Sequence, residues 1–279
     1  MTPDELHQLI RACQLAQLLF LAFRELTLFH PLPPTHFQPN WALTTMQMEF
    51  ARHAVFFGGF LERVYDIPDS HRPRDQQRLD TMLMGGGCDT AMAIVDGLIR
   101  QLLFLGEPRL ADDAWEVRVW FGSAWHWLYM IRVEDHFFAF DITGPQHHNR
   151  MALRLWDNYI ATFNPTLVDP PFPLGHVRGQ HRQWAWAAQN NNRQGDFFRC
   201  RMSRFRLVQF LQGHDLDDAI TAYLDEHRLT LRRLVRLPTA QYQQHTRELL
   251  ASVRRHLASH RRHISGNTYQ YETRSRRVE

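Results

Sequence analysis

Three consecutive glycines stand directly before a cysteine and a long apolar run, and this stretch constrains the fold more than any other. The glycines occupy residues 85–87, Cys88 follows, and apolar residues continue at helical spacing until Gly106 and Pro108 end the pattern. Glycines permit a sharp turn and the close approach of a substrate. The sequence therefore predicts a helix over 88–105 that begins at a cysteine.

A cysteine at a helix start is placed for nucleophilic chemistry. The unpaired N–H groups and the positive end of the helix dipole favour the thiolate. The same N–H groups can hold an oxyanion that forms on a substrate. Gly86, Gly87 and Asp89 are therefore the predicted oxyanion and substrate-groove residues around Cys88. The alternative is a buried packing cysteine without reactivity, the role that we assign to Cys13 and Cys200.

The middle of the chain carries strand patterns. Residues 115–121, 126–133 and 137–143 alternate apolar with polar residues or are rich in aromatic and branched side chains, which is typical of strands. The last two lie so close together that we predict a hairpin, with a turn at residues 134–135 or 133–136. Either turn pairs residues whose numbers sum to 269.

This register brings a histidine and an aspartate onto one face of the hairpin. Asp141 lies opposite Leu128, so His126 is its diagonal neighbour, about 7–8 Å away at the backbone. The Asp141 carboxylate can then accept the imidazole N–H and orient the ring. A three-residue turn would place the two residues on opposite faces. Trp125 and Trp127 flank His126 and are predicted to line the substrate groove.

The order and spacing of these residues resemble the papain-fold superfamily in its transglutaminase-like branch. Cys88 and His126 are 38 residues apart, His126 and Asp141 are 15 apart, and a Thr-Gly pair follows the aspartate. These separations are close to those of arylamine N-acetyltransferases and of papain-fold deamidase toxins. The resemblance covers residues 80–150. It implies Cys88 as the nucleophile, His126 as general base and then acid, and Asp141 as the orienting residue.

The chain also departs from well-known members of that superfamily. The best-characterised transglutaminases have Trp directly after the nucleophile, where this chain has Asp89, and papain-type proteases have Gln six residues before it, where this chain has Met82. The resemblance therefore implies a divergent thiol enzyme that acts on an amide of a protein, as a glutamine deamidase or transglutaminase-like enzyme. A cysteine protease, an acyltransferase or an inactive binding relative of the same fold is the alternative.

The basic residues are unusual in kind. Among 32 lysine-plus-arginine positions, every one is arginine. A GC-rich genome produces such a bias, but lysine is also the acceptor for ubiquitin and for transglutaminase crosslinks. The N-terminal residues lack the basic start of a signal peptide. We therefore expect cytoplasmic synthesis, and the missing lysine favours an effector or toxin delivered into a target cell, where a host protein is the substrate.

The remaining periodicity is helical and predicts an α+β fold. Helical patterns occupy residues 4–29, 42–65, 151–163, 203–213, 215–236 and 240–263, with loops at 164–175 and 189–195. We predict a papain-like or transglutaminase-like core, in which the cysteine-bearing helix packs on a small antiparallel sheet, with added terminal helices. The predicted regions are 1–74 (helical), 75–200 (catalytic core) and 201–279 (helical and arginine-rich), forming one compact unit.

No cofactor, metal or membrane segment is expected. His147-His148 and the pair His260 and His263 lack an HExxH motif or cysteine partners. The apolar stretch near the N-terminus carries Arg11, so we expect a buried amphipathic helix rather than a membrane span.

The arginine-rich C-terminal helix supports an alternative from another functional class. A non-catalytic module could use this helix to bind nucleic acid or an acidic protein surface. A net charge of only +3 and the interleaved Glu248 favour a solvated helix face, so nucleic acid is not the expected partner.

Overall fold

The computed structural model describes residues 1–30, 67–68, 87–122, 125–147, 151–189 and 204–264. They form helices packed with an antiparallel sheet, which confirms the α+β class. The predicted helix at 42–65, the predicted boundaries near residues 74 and 200, Gly86 and Cys200 lie outside the described residues.

The described part of the chain contains seven α-helices. They are α1 (Pro3–Leu28), α2 (Cys88–Leu103), α3 (Trp156–Phe163), α4 (His176–Gln189), α5 (Arg204–Glu226), α6 (Leu231–Arg236) and α7 (Thr239–Ile264). A short 3₁₀ helix covers Gly144–His147. Helices α1, α2 and α7 match the predicted ones to within two residues, which is the usual uncertainty of helix ends.

One sheet and one short strand pair complete the described fold. The strands are β1 (Phe29–His30), β2 (Ile67–Pro68), β3 (Asp113–Trp120), β4 (Trp125–Val133), β5 (His136–Phe140), β6 (Leu153–Leu155), β7 (Thr166–Leu167) and β8 (Phe172–Pro173). β1 and β2 pair in parallel. The main sheet has the order β6-β5-β4-β3-β7, β8 also pairs with β3, and all its neighbours are antiparallel.

The hairpin of β4 and β5 has the predicted register. Tyr129 pairs with Phe140 and Val133 pairs with His136, so the turn contains only residues 134 and 135. Glu134 has φ of 53°, the left-handed conformation that tight turns between strands require. The pairing in which residue numbers sum to 269 is therefore confirmed.

The two faces of the sheet pack against different helices. On one face, Tyr129 is fully buried and its hydroxyl donates to the Met92 carbonyl of α2 at 3.3 Å. On the other face, Leu128 is buried in a smaller apolar cluster with Tyr159 of α3. Because both faces are covered, four of the nine residues of β4 are buried and only Trp125 is exposed.

A single apolar cluster joins residues from all three predicted regions. Phe20 of α1, Leu98 of α2, Leu234 of α6 and Val253 of α7 belong to it and are almost completely buried. On α7, the exposed Arg254 pairs with Glu25 of α1 at 3.2 Å. The apolar side of the arginine-rich helix thus packs inward.

By length and composition, one helix among the described residues could cross a membrane. It spans Pro3–Thr27, close to the N-terminus, and 61% of its most apolar window is buried against the rest of the protein.

Several predicted elements are wrong in detail. Residues 151–163 form strand β6 before helix α3, and the predicted loop at 164–175 contains β7 and β8. No element was predicted at α4. The predicted helix break near Gly213 is absent, because α5 runs continuously through it. A Cβ at Gly213 would lie 3.3 Å from Ile94, so this glycine allows close packing of α5 on α2.

A buried glutamate fixes the start of α4 against the sheet. Glu116 of β3 is completely buried and accepts the backbone N–H groups of Gly175 (2.8 Å) and Val177 (2.7 Å). A carboxylate at a helix N-terminus is favoured by the unpaired N–H groups and the helix dipole. Burial nevertheless raises the pKa of Glu116 to about 7, against the opposing effect of the two N–H bonds.

This buried carboxyl predicts a pH-dependent contribution to stability. Because its folded-state pKa is raised, the contribution is complete below about pH 4.5 and is lost as pH rises through about 7. The unfolding free energy of the wild type, minus that of Glu116→Gln, should therefore fall by about 3 kcal/mol as the pH rises from about 4.5 to about 7. Urea unfolding of both proteins at several pH values measures it. A difference that stays constant with pH would contradict the assignment.

Candidate active site

Cys88 is the first residue of α2, as predicted. Gly87 precedes it as the N-cap, with φ of −114° and no side-chain cap, and its carbonyl accepts the Ala91 N–H at 2.7 Å. The Asp89 carboxylate lies in the first turn and accepts the Thr90 N–H at 2.8 Å. Cys88 is partly exposed, whereas Cys13 is buried and burial raises the pKa of its thiol. Of these two cysteines, only Cys88 is open to a substrate.

His126 and Asp141 form a buried pair. The His126 Nε2–H donates to Asp141 Oδ1 at 2.9 Å, and each residue is only 1% exposed. Strand β4 supplies the histidine near its start, and the aspartate follows β5 directly. The contact is the diagonal one that the hairpin register predicts.

The Cys88 side chain interacts with the same imidazole. It is a hydrogen-bond partner of His126, and since Nε2 is engaged by Asp141, Nδ1 is the nitrogen left to face the sulfur. Burial lowers the pKa of His126, but the Asp141 charge and the bonds to Asp141 and Cys88 outweigh it and raise the pKa to about 10. The structure therefore brings the three predicted catalytic side chains together at the His126 imidazole.

Two residues that the sequence analysis missed hold Asp141 in place. The Tyr159 hydroxyl of α3 donates to Asp141 Oδ2 at 3.1 Å. Burial and the nearby Asp141 raise the pKa of Tyr159, so the phenol remains a neutral donor. Gln17 of α1 donates from Nε2 to the carbonyls of Asp141 (3.2 Å) and Ile142 (3.0 Å). The aspartate is thus fixed through its side chain and its backbone.

Sequence offered little signal for these two residues. Gln17 is 124 positions from Asp141 and lies on a helix that reads as a simple apolar element. Tyr159 belongs to a segment with an aromatic residue at nearly every turn. Only the packing of α1 and α3 around the end of β5 reveals their roles.

An aromatic wall shields the imidazole. The Phe121 ring lies 5.4 Å from the His126 ring, and Phe163 of α3 packs edge-on against Phe121 at 6.4 Å. Apolar neighbours lower the local dielectric constant and so strengthen the attraction between the ring and the carboxylate.

The two tryptophans that flank His126 do not share its face of the strand. Because side chains alternate along a strand, Trp125 and Trp127 share the face of β4 opposite to His126. The Arg118 guanidinium lies 5.2 Å from the Trp125 ring and 5.6 Å from the Trp127 ring. Trp127 also packs on Phe172. Trp127 is thus packed against its neighbours, while Trp125, the first residue of β4, is 53% exposed. Their place in a substrate groove stays a prediction.

No protein-family model, no curated protein and no solved structure matches this chain. The function is therefore inferred from the geometry of the site.

Removing the Tyr159 hydroxyl should loosen the triad. In Tyr159→Phe, Asp141 loses a buried donor, so we expect about 1–2 kcal/mol lower stability. The rate at which iodoacetamide alkylates Cys88 should fall about threefold to tenfold, because the imidazole is less well oriented. Mass spectrometry of the labelled peptide measures this rate.

Tyr242→Phe is the matched control. The Tyr242 hydroxyl is another buried donor, and it donates to the Arg11 carbonyl at 3.1 Å. This bond joins α7 to α1 and lies outside the triad. It should lose comparable stability without a change in the alkylation rate of Cys88. Equal alkylation rates in wild type and Tyr159→Phe would show that the hydroxyl does not position the triad.

Proposed function

We propose that this chain is a cysteine-dependent enzyme that acts on protein amides through a Cys88-His126-Asp141 triad. The observation that carries the proposal is the buried His126–Asp141 hydrogen bond beside a partly exposed cysteine at a helix start. A protein has little structural reason to bury a charged imidazole between a thiol and a carboxylate, whereas a thiol enzyme needs this arrangement.

We also propose that the core is papain-like, in its transglutaminase-like form. The supporting features are the cysteine at the first residue of α2, the packing of α2 on an antiparallel sheet, and the histidine on β4 with the aspartate directly after the neighbouring strand β5. The helices α1, α5, α6 and α7 are additions around this core.

The chemistry begins with the proton shared between sulfur and imidazole. The imidazolium of His126 stabilises a thiolate on Cys88, which attacks the amide carbonyl carbon. Backbone N–H groups at the start of α2 stabilise the oxyanion. His126 gives its proton to the departing nitrogen, the C–N bond breaks, and a thioester remains on Cys88.

The second half of the reaction releases the product. His126, now neutral, takes a proton from a water molecule or from an amine, which attacks the thioester and frees the Cys88 sulfur. With a glutamine side chain as the substrate, water gives glutamate and ammonia, and an amine gives a crosslink. Asp141 holds the ring in the same orientation through both steps.

Glutamine is the favoured substrate side chain, and a protein in a target cell is the favoured substrate. The lysine-free composition supports this choice, because a chain without lysine cannot become the acceptor of its own acyl transfer. The same composition removes the lysine sites for ubiquitin, which suits an effector or toxin working inside another cell.

Selective alkylation tests the nucleophile. At neutral pH, iodoacetamide should label Cys88 at least about tenfold faster than Cys13, whose thiol is buried. The His126→Ala variant should lose most of this advantage, because the imidazolium no longer stabilises the thiolate. Peptide mapping of the labelled cysteines reads out each rate. Slow and equal labelling of all three cysteines would reject the enzyme.

Turnover tests the reaction itself. Wild type and Cys88→Ala are incubated with glutamine-containing host proteins, with and without a primary alkylamine, and the products are analysed by mass spectrometry. We expect deamidated glutamine without the amine and an amine adduct with it, in the wild type only. Cleaved peptide bonds would assign the protease alternative, and equal modification in both samples would refute Cys88 catalysis.

A further inference from the structure

Outside the triad, two histidines and a glutamate converge where α5 ends against α7. His227 directly follows α5, while His245 and Glu248 lie three residues apart on α7. One potential ligand atom from each side chain lies within 4.8 Å of the others. None of these residues takes part in the proposed reaction.

His227 is already oriented as histidine ligands of metal ions usually are. The His227 Nδ1–H donates to the Tyr223 carbonyl at 2.9 Å, which fixes the tautomer and leaves the Nε2 lone pair as the ligand. The Tyr223 ring also stacks on the His227 ring, with centroids 4.1 Å apart. Because Tyr223 is buried, the imidazole rests on a rigid support.

The other two prospective ligands share one buried hydroxyl. Tyr223 Oη lies 2.8 Å from His245 Nδ1 and donates to Glu248 Oε2 at 3.2 Å. Gln244 donates to the second carboxylate oxygen of Glu248 at 3.0 Å. The His227 and His245 rings meet edge to face, with centroids 5.7 Å apart. Each prospective ligand is therefore held by a neighbouring group.

We propose that His227, His245 and Glu248 bind a divalent cation of the zinc class, with water completing the coordination. Two imidazoles and one carboxylate suit Zn²⁺, whereas Mg²⁺ prefers an all-oxygen shell. Bond lengths of about 2.0–2.2 Å require only a small closure of the three side chains. The bound ion joins the end of α5 to α7 and stabilises that junction.

Metal titration of the complete chain tests the site. Metal-free protein is titrated with Zn²⁺ by calorimetry, and thermal unfolding is followed with and without the ion. Wild type should bind Zn²⁺ at least tenfold more tightly than His227→Gln or Glu248→Gln, and only wild type should gain a Zn²⁺-dependent rise in Tm. Mg²⁺ at the same concentration should cause no rise.

His136→Gln is the matched control, because His136 is an exposed histidine at the start of β5, outside the cluster. It should bind Zn²⁺ like wild type. If His227→Gln does not fold, Glu248→Gln decides, since its side chain is 42% exposed and fills no core space. Equal Zn²⁺ affinity and Tm rise in wild type and Glu248→Gln would overturn the proposal. A wild type whose Tm does not respond to Zn²⁺ would also overturn it, and the cluster would then be a hydrogen-bond network without a metal ion.

Discussion

The site depends on one buried contact, the hydrogen bond from His126 to Asp141. Burying either charge alone costs several kcal/mol, and the two charges compensate this cost only in a close and fixed geometry. Three separate elements provide that geometry. The two-residue turn sets the register, Tyr159 of α3 holds the carboxylate, and Gln17 of α1 holds the backbone carbonyls of residues 141 and 142.

The parts of the site that sequence could predict are those fixed by local rules. Side chains alternate between the two faces of a strand, and a short turn fixes which residues of β4 and β5 lie opposite each other. The diagonal relation of His126 to Asp141 could therefore be predicted from residue numbers. The start of α2 at Cys88 followed from the glycines before it. These are short-range constraints, and both of them hold in the structure.

The other parts depend on tertiary contacts that no local pattern encodes. Gln17 reaches the triad because α1 packs beside β6 and α2. Glu116 reads as an outward residue of an alternating strand, yet it is buried as the anchor of α4. Gly213 resembles a helix break, but its missing side chain serves the contact of α5 with Ile94.

The central claim is that the His126 ring is a charged imidazolium between sulfur and carboxylate, and nitrogen-15 NMR of the histidine rings tests it most directly. The signal that is missing in His126→Ala identifies this ring among the other histidines. We expect both ring nitrogens to carry protons at neutral pH and up to about pH 9, because the pKa of His126 is raised to about 10. A neutral ring at neutral pH, or one that titrates near the ordinary value of about 6.5, would contradict the account.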